Sequence, residues 1–185
     1  PYGKVERASQ VGSDKNRQIA RDAVKMSMVL LKNESNVLPL KKDKSITVVG
    51  SGANNLGMQN GGWTVEWQGR STPDFKILDG NSDEKLNFDE VTSYFKSAYD
   101  AKYDAGNVEG FFKNLDKDSN GKVNVDEFED FVMGSPYQPD GTSILKALEE
   151  ASDKKGLITY DPRAEKISKG DVIVAVVGEN PYAEG

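Results

Sequence analysis

Hydrophobic and polar positions change rhythm several times along the chain. Between Ser13 and Asn33 the apolar residues Ile19, Val24, Met28 and Leu31 recur at helical spacing, and Ser13-Asp14 supplies a helix start, so one amphipathic helix is expected there. Asn33 to Lys44, with Pro39 among mixed polar residues, reads as a loop. Ser45-Ile-Thr-Val-Val-Gly50 is a β-branched apolar run closed by glycine, expected to be a buried strand. The stretch GSGANNLGMQNGGWTVEWQG that follows has too many glycines for the interior of an element and carries both tryptophans. Later, Thr142 to Ala151 reads as a helix, Leu157 to Tyr160 as a short strand, and Asp171 to Gly178 as a second wholly apolar strand. Continuous apolar runs in place of alternation predict a parallel sheet covered on both faces. The expected fold class is therefore α/β: a partial parallel-sheet sandwich, interrupted by a stretch with helical periodicity.

Charge marks that stretch as a separate unit. The 185 residues carry 24 Lys+Arg and 30 Asp+Glu, a net charge of −6. From Thr72 to Ser135 there are 15 acidic and 7 basic residues, a balance of −8, whereas the other 121 residues sum to +2. The domains expected are residues 1–71 with 136–185, and an inserted all-α unit over 72–135. No basic stripe favours a nucleic-acid partner, no apolar run is long enough to cross a membrane, and the first residues lack the apolar core of a signal peptide. With neither histidine nor cysteine, Ser-His-Asp and Cys-His catalysis, thiol chemistry and a tetrahedral zinc site are disfavoured. Carboxylates, hydroxyls, lysines and oxygen-seeking metals are left for the chemistry.

The acidic stretch holds a repeated loop. Asp116-Lys-Asp118-Ser-Asn120-Gly121-Lys122-Val123-Asn124-Val-Asp-Glu127 sets oxygen-bearing side chains at its first, third, fifth, ninth and twelfth positions. The backbone carbonyl of Lys122 is available at the seventh, and glycine stands at the sixth, where a loop wrapping an ion must turn sharply. Glu127 would clamp the ion with both oxygens. This is the pattern of an EF-hand calcium loop, and the ion expected is Ca2+. Asp79-Gly-Asn81-Ser-Asp83-Glu84-Lys85-Leu86-Asn87-Phe-Asp-Glu90 repeats the order 37 residues earlier, with Glu84 where glycine belongs. Its ligands would be Asp79, Asn81, Asp83, the Lys85 carbonyl and Glu90. Leu86 and Val123 occupy the positions through which paired loops of this kind bridge. Read without the repeat, such Asp/Asn/Gly-rich loops would be solvated turns; two in tandem with matching helices argue otherwise.

The flanks carry a second resemblance. IARDAVKMSMVLLKNESNVLPL, ITVVGSGANNLGMQNGGWTVEWQG, DGTSILKALEEA and VIVAVVGENPYAEG together resemble the second, α/β-sandwich domain of glycoside hydrolase family 3, the β-glucosidases and exo-β-glucanases. The resemblance covers Val11 to about Gly69 and Pro139 to Gly185. It implies that a barrel domain supplies an aspartate nucleophile and that this domain contributes the acid/base, on Glu179, with sugar-stacking Trp63 and a tryptophan neighbour at Trp67. By default both tryptophans would be core or interface residues, and Trp67 is the one expected to be so. It also implies a β-glucoside or β-glucan substrate, a chain inactive without the barrel, and, since many relatives are exported, a secreted or periplasmic setting. On residue grounds alone Glu179 would be a surface glutamate, though it follows an apolar strand, where open α/β sheets bind ligands. Gly50-Ser-Gly52 is not a dinucleotide fingerprint, because the next glycine is Gly57 and no acidic residue follows at the required distance. A second reading makes ion binding the function of the acidic unit, with the flanks as scaffold.

Overall fold

The structure is a computed structural model that describes residues 5–64, 67–69, 71, 73–99, 105–133, 141–167 and 172–184. It forms two units, Pro1–Leu40 and Lys41–Gly185. In the first, a 3-10 helix over Val5–Gln10 leads into α1, Asp14–Ser27. Ser13 caps it as expected, its hydroxyl accepting from the Asn16 amide at 3.4 Å. The helix ends six residues short of Asn33, because Met28 is already extended at φ −69°, ψ 135°. The hydroxyl of Ser27 turns back to the Val24 carbonyl at 2.9 Å, and no residue of α1 is buried, so no packing carries the helix further. The loop beyond is closed by the Asn33 side chain, which donates to the Leu38 carbonyl and accepts from its amide, both at 3.0 Å.

The second unit is built on a three-stranded parallel sheet of order β2-β1-β3, with β1 at Ile46–Val49, β2 at Ile158–Tyr160 and β3 at Val172–Ala175. All four residues of β1 are buried, as its apolar run predicts. The expectation of two covered faces fails at β3. That strand alternates between half-buried and exposed residues, with Ile173 48% exposed, and it is shorter than Asp171 to Gly178. β3 is an edge strand of the sheet, and the alternate residues Ile173 and Ala175 stay exposed. Two short helices serve the loops: α2, Leu56–Asn60, capped by Asn55, arises inside the glycine-rich stretch read as irregular, and α7, Ile144–Ala151, capped by Ser143, matches the helix expected over 142–151.

Between them lie α3 (Phe75–Leu78), α4 (Phe88–Tyr99), α5 (Ala105–Leu115) and α6 (Val125–Met133). Leu78, Leu86, Val91, Val108, Phe112, Leu115, Val123 and Phe128 form one buried cluster here, rimmed by edge-to-face aromatic pairs such as Phe95–Phe111 at 4.9 Å and Phe75–Phe128 at 5.5 Å. This stretch returns to where it left. Asn55 donates to the hydroxyl of Ser71 at 2.8 Å, while Gln59 donates to the Thr142 carbonyl at 3.3 Å and accepts from the Ile144 amide at 3.2 Å. Among the described residues no helix is long and apolar enough to cross a membrane.

Candidate functional site

The tryptophan loop and the Glu179 segment meet. Trp63 adopts φ +58°, a left-handed backbone that costs a bulky residue about 1–3 kcal/mol and persists only where its surroundings enforce it. Two contacts do so: the Trp63 amide donates to the Trp67 carbonyl at 2.7 Å, and the two indoles pack edge to face at 5.8 Å. Neither ring is buried. Trp63 is 68% exposed and Trp67 47% exposed, so Trp67 is not a core residue.

Two glycines let the next segment approach. A Cβ on Gly62 would collide with the backbone of Tyr182, and one on Gly69, at φ +76°, with Pro181. Gln68 then clamps the pair: its side-chain oxygen accepts from the Ala183 amide at 2.9 Å and its amide nitrogen donates to the Glu184 carbonyl. Glu179 stands exposed just beyond β3, and Gly178 before it lies against Met58 of α2. Sequence reasoning passed over Gln68, although it sits in the same EWQG phrase as Trp67.

The two acidic loops share most of their bonds. In the second, Asp116 accepts from the amides of Asn120 at 3.0 Å and Gly121 at 2.9 Å; in the first, Asp79 accepts from Asp83 at 3.1 Å and Glu84 at 3.0 Å. Asp118 and Asn81 accept from the same fifth-position amides, at 3.0 and 2.8 Å. The amides of Lys122 and Lys85 donate to Asn120 and Asp83, at 2.9 and 3.0 Å. Glu127 and Glu90 each reach back into the loop and exchange reciprocal 3.0 Å bonds with Asn124 and Asn87, a capping box that starts α6 and α4. The ninth-position asparagines thus spend their side-chain oxygens on helix caps. Leu86 and Val123 pair as an isolated antiparallel bridge, both bonds 2.8 Å.

The loops differ where the sequence does. Glu84 takes φ +63° where Gly121 takes +82°. Asp116, Asp118 and Glu127 bring carboxylate oxygens within 4.8 Å of one another, whereas the first loop has an amide, Asn81, at the third position. An all-oxygen donor set converging on one point suits a hard divalent cation.

A third group ties the helical stretch to the sheet. Buried Asp74 caps α3 by accepting from the Lys76 amide at 2.9 Å, and its other oxygen accepts from the Tyr160 hydroxyl at 2.9 Å and the Asn54 amide group at 3.4 Å. Burial, then the negative charge of Asp74 and the bond to it, push the Tyr160 phenol well above its usual range. Nothing local in the sequence announces this contact.

Comparison with known proteins bears on nearly the whole chain, the acidic stretch included. The profile of the glycosyl hydrolase family 3 C-terminal domain matches residues 28–185. The chain is 30% identical over 190 residues to "Probable beta-D-xylosidase 6" of Arabidopsis thaliana, covering 97% of this chain and 21% of that protein. It is 30% identical over 194 residues to "Probable beta-glucosidase F" of Aspergillus fumigatus, covering 96% and 20%. Among solved structures, the exo-1,3/1,4-beta-glucanase of a Pseudoalteromonas species superposes with a TM-score of 0.55 at 29% identity, over 96% of this chain and 15% of that one. The chain thus spans about a fifth of the length of these curated relatives.

Proposed function

Because the chain belongs to glycosyl hydrolase family 3, as a stretch of its C-terminal domain, we propose that it supplies the acid/base, Glu179, and a sugar-stacking surface, Trp63 with Trp67, to a retaining β-glucosidase or exo-β-glucanase. A barrel elsewhere in the parent enzyme supplies the nucleophile, and the substrate is a β-glucoside or β-glucan. The observation that carries this reading is the Gln68 clamp, which joins the indole loop to the segment that begins at Glu179. One loop then presents a flat face for a sugar ring while the other presents an exposed carboxyl. In such a reaction the acid first protonates the leaving oxygen and then, as base, activates water against the glycosyl-enzyme. In the parent enzyme Glu179→Ala is expected to cost about 100-fold or more on substrates with poor leaving groups and much less on activated aryl glucosides, whose departure needs no proton. Equal losses on both would remove Glu179 from the acid role.

A second reading concerns residues 72–135 as an inserted calcium-binding EF-hand pair, and it rests on the matched bonding of the two loops. Asp116, Asp118, Asn120, the Lys122 carbonyl and Glu127 would hold one Ca2+, and Asp79, Asn81, Asp83, the Lys85 carbonyl and Glu90 a second. The ion would add a charge centre to which both loops order. Calorimetric titration of the chain with calcium should show binding that Asp116→Ala abolishes at the second loop and Glu127→Gln weakens at least about tenfold, since ligand charge sets affinity in such loops. Unchanged stoichiometry and affinity in both variants would refute the assignment.

A further inference from the structure

Arg163 lies in the turn after β2, outside the catalytic reading and outside both ligand sets, and its guanidinium reaches across to the first acidic loop. One terminal nitrogen donates to the Asp79 carbonyl at 2.7 Å, the other to the Ser82 hydroxyl at 3.1 Å, and the inner nitrogen pairs with Glu165 at 3.1 Å. The two loop partners are telling. Asp79 ends α3 and opens the loop, and Ser82 sits at its left-handed bend, φ +60°, a bend that the equivalent Ser119 of the second loop shares at φ +57°. The planar fork of arginine spans two acceptors at fixed separation, which an ammonium does not. Because Glu165 neutralises the guanidinium, its contact with the loop adds order without adding much repulsion toward a cation.

The turn that carries Arg163 is itself bonded to the centre of the sheet. The Asp161 amide donates to the Val48 carbonyl at 2.9 Å, and the Gly50 amide donates to the Pro162 carbonyl at 3.1 Å. Gly50 in turn lies so close to Val176 that a Cβ there would strike its carbonyl, three residues before Glu179. In the second loop, Asp116 and Ser119 correspond to Asp79 and Ser82, and among the described residues neither is bonded to the sheet.

We propose that Arg163 is a positioning residue that presets the first acidic loop for calcium, so that ion binding at that loop and ordering of the turn 160–163 against β1 form one linked equilibrium. The proposal rests on the calcium reading of the first loop. Holding a loop in its bound shape beforehand removes part of the ordering cost from the binding step. Linkage then requires the reverse: calcium at the loop must tighten the turn by the same factor.

The test titrates calcium into the full chain carrying Glu127→Gln, so that the first loop dominates the heat, with and without Arg163→Met or Arg163→Lys. Arg163→Met is expected to weaken the first loop about tenfold, and Arg163→Lys, which keeps the charge but loses the fork, by a comparable amount. In the otherwise unaltered chain, Arg163→Met should leave the second-loop affinity unchanged, which shows that the variant is folded. Hydrogen exchange supplies the reciprocal readout: calcium should slow exchange of the Asp161 and Gly50 amides in the unaltered chain and not in Arg163→Met. First-loop affinity indifferent to Arg163→Met, or amide protection that responds equally in both, overturns the proposal while leaving the calcium reading intact. Absence of first-loop binding in the unaltered Arg163 background overturns both.

Discussion

A single buried carboxylate, Asp74, joins three parts of the chain with two oxygens: the first turn of α3, the Asn54 side chain after β1, and the Tyr160 hydroxyl at the end of β2. Its consequence is a pH dependence of defined sign. The phenol of Tyr160 binds its proton more tightly in the folded chain than in the unfolded one, through burial and the Asp74 charge. The stability this lends is therefore complete below the ordinary phenol value near about 10 and declines as pH rises above it. Tyr160→Phe keeps the ring under the Lys76 ammonium, 5.5 Å from its centroid, but removes the hydrogen bond. We expect it to cost about 1–2 kcal/mol at pH 8, with the gap to the unaltered chain narrowing above pH 10. Urea unfolding of both chains at the two pH values checks this; a gap that stays constant or widens would contradict it.

At the scale of elements, the two helix-loop-helix halves show what a local pattern can fix. Twelve residues with oxygens at set positions produced the same bonds twice, down to the Asn-x-x-Glu capping box that starts each exit helix. The departure at the sixth position carries a backbone cost that its counterpart does not. Glu84 is held left-handed, at about 1–2 kcal/mol for a residue with a Cβ, where Gly121 is at ease. Glu84→Gly is accordingly expected to strengthen calcium binding at the first loop several-fold, read by calorimetry, and a fall in affinity would give Glu84 a role of its own. Strand β1 and helix α7 were legible for the same reason, since a buried β-branched run and a serine cap act within a few residues. The length of α1 was not, because the periodicity running on to Leu31 needs a packing partner to become helix and α1 buries none of its residues. Nor were the ties that assemble the second unit. Arg163 to Asp79, Tyr160 to Asp74 and Gln68 to Ala183 join residues 84, 86 and 115 positions apart, and no local rhythm encodes such pairs. Phrase-level resemblance singled out Trp63 and Glu179, while the glutamine that joins their loops emerged only from the folded chain.

For the molecule as a whole, membership of a hydrolase family and the geometry of the acidic stretch answer different questions. The first spans residues 28–185 and so takes in the helical stretch along with the sheet; the second concerns that stretch alone, whose eight buried apolar residues form a cluster of their own. The two meet at few points: Asp74 and Lys76 on one side, Arg163 on the other, and the helix α2, where Asn55 and Gln59 take hold of the departing and returning chain. That last arrangement has a wider consequence. A stretch whose entrance and exit are fastened to one short helix is a cartridge in a socket: the fastening at its two ends is separate from the ties that Asp74, Lys76 and Arg163 make further along. Any folded unit whose termini lie close together could occupy the same socket. Such an exchange would leave Ile46–Val49, Ile158–Tyr160 and Val172–Ala175 in register, because none of the three strands draws its pairing partner from residues 72–135.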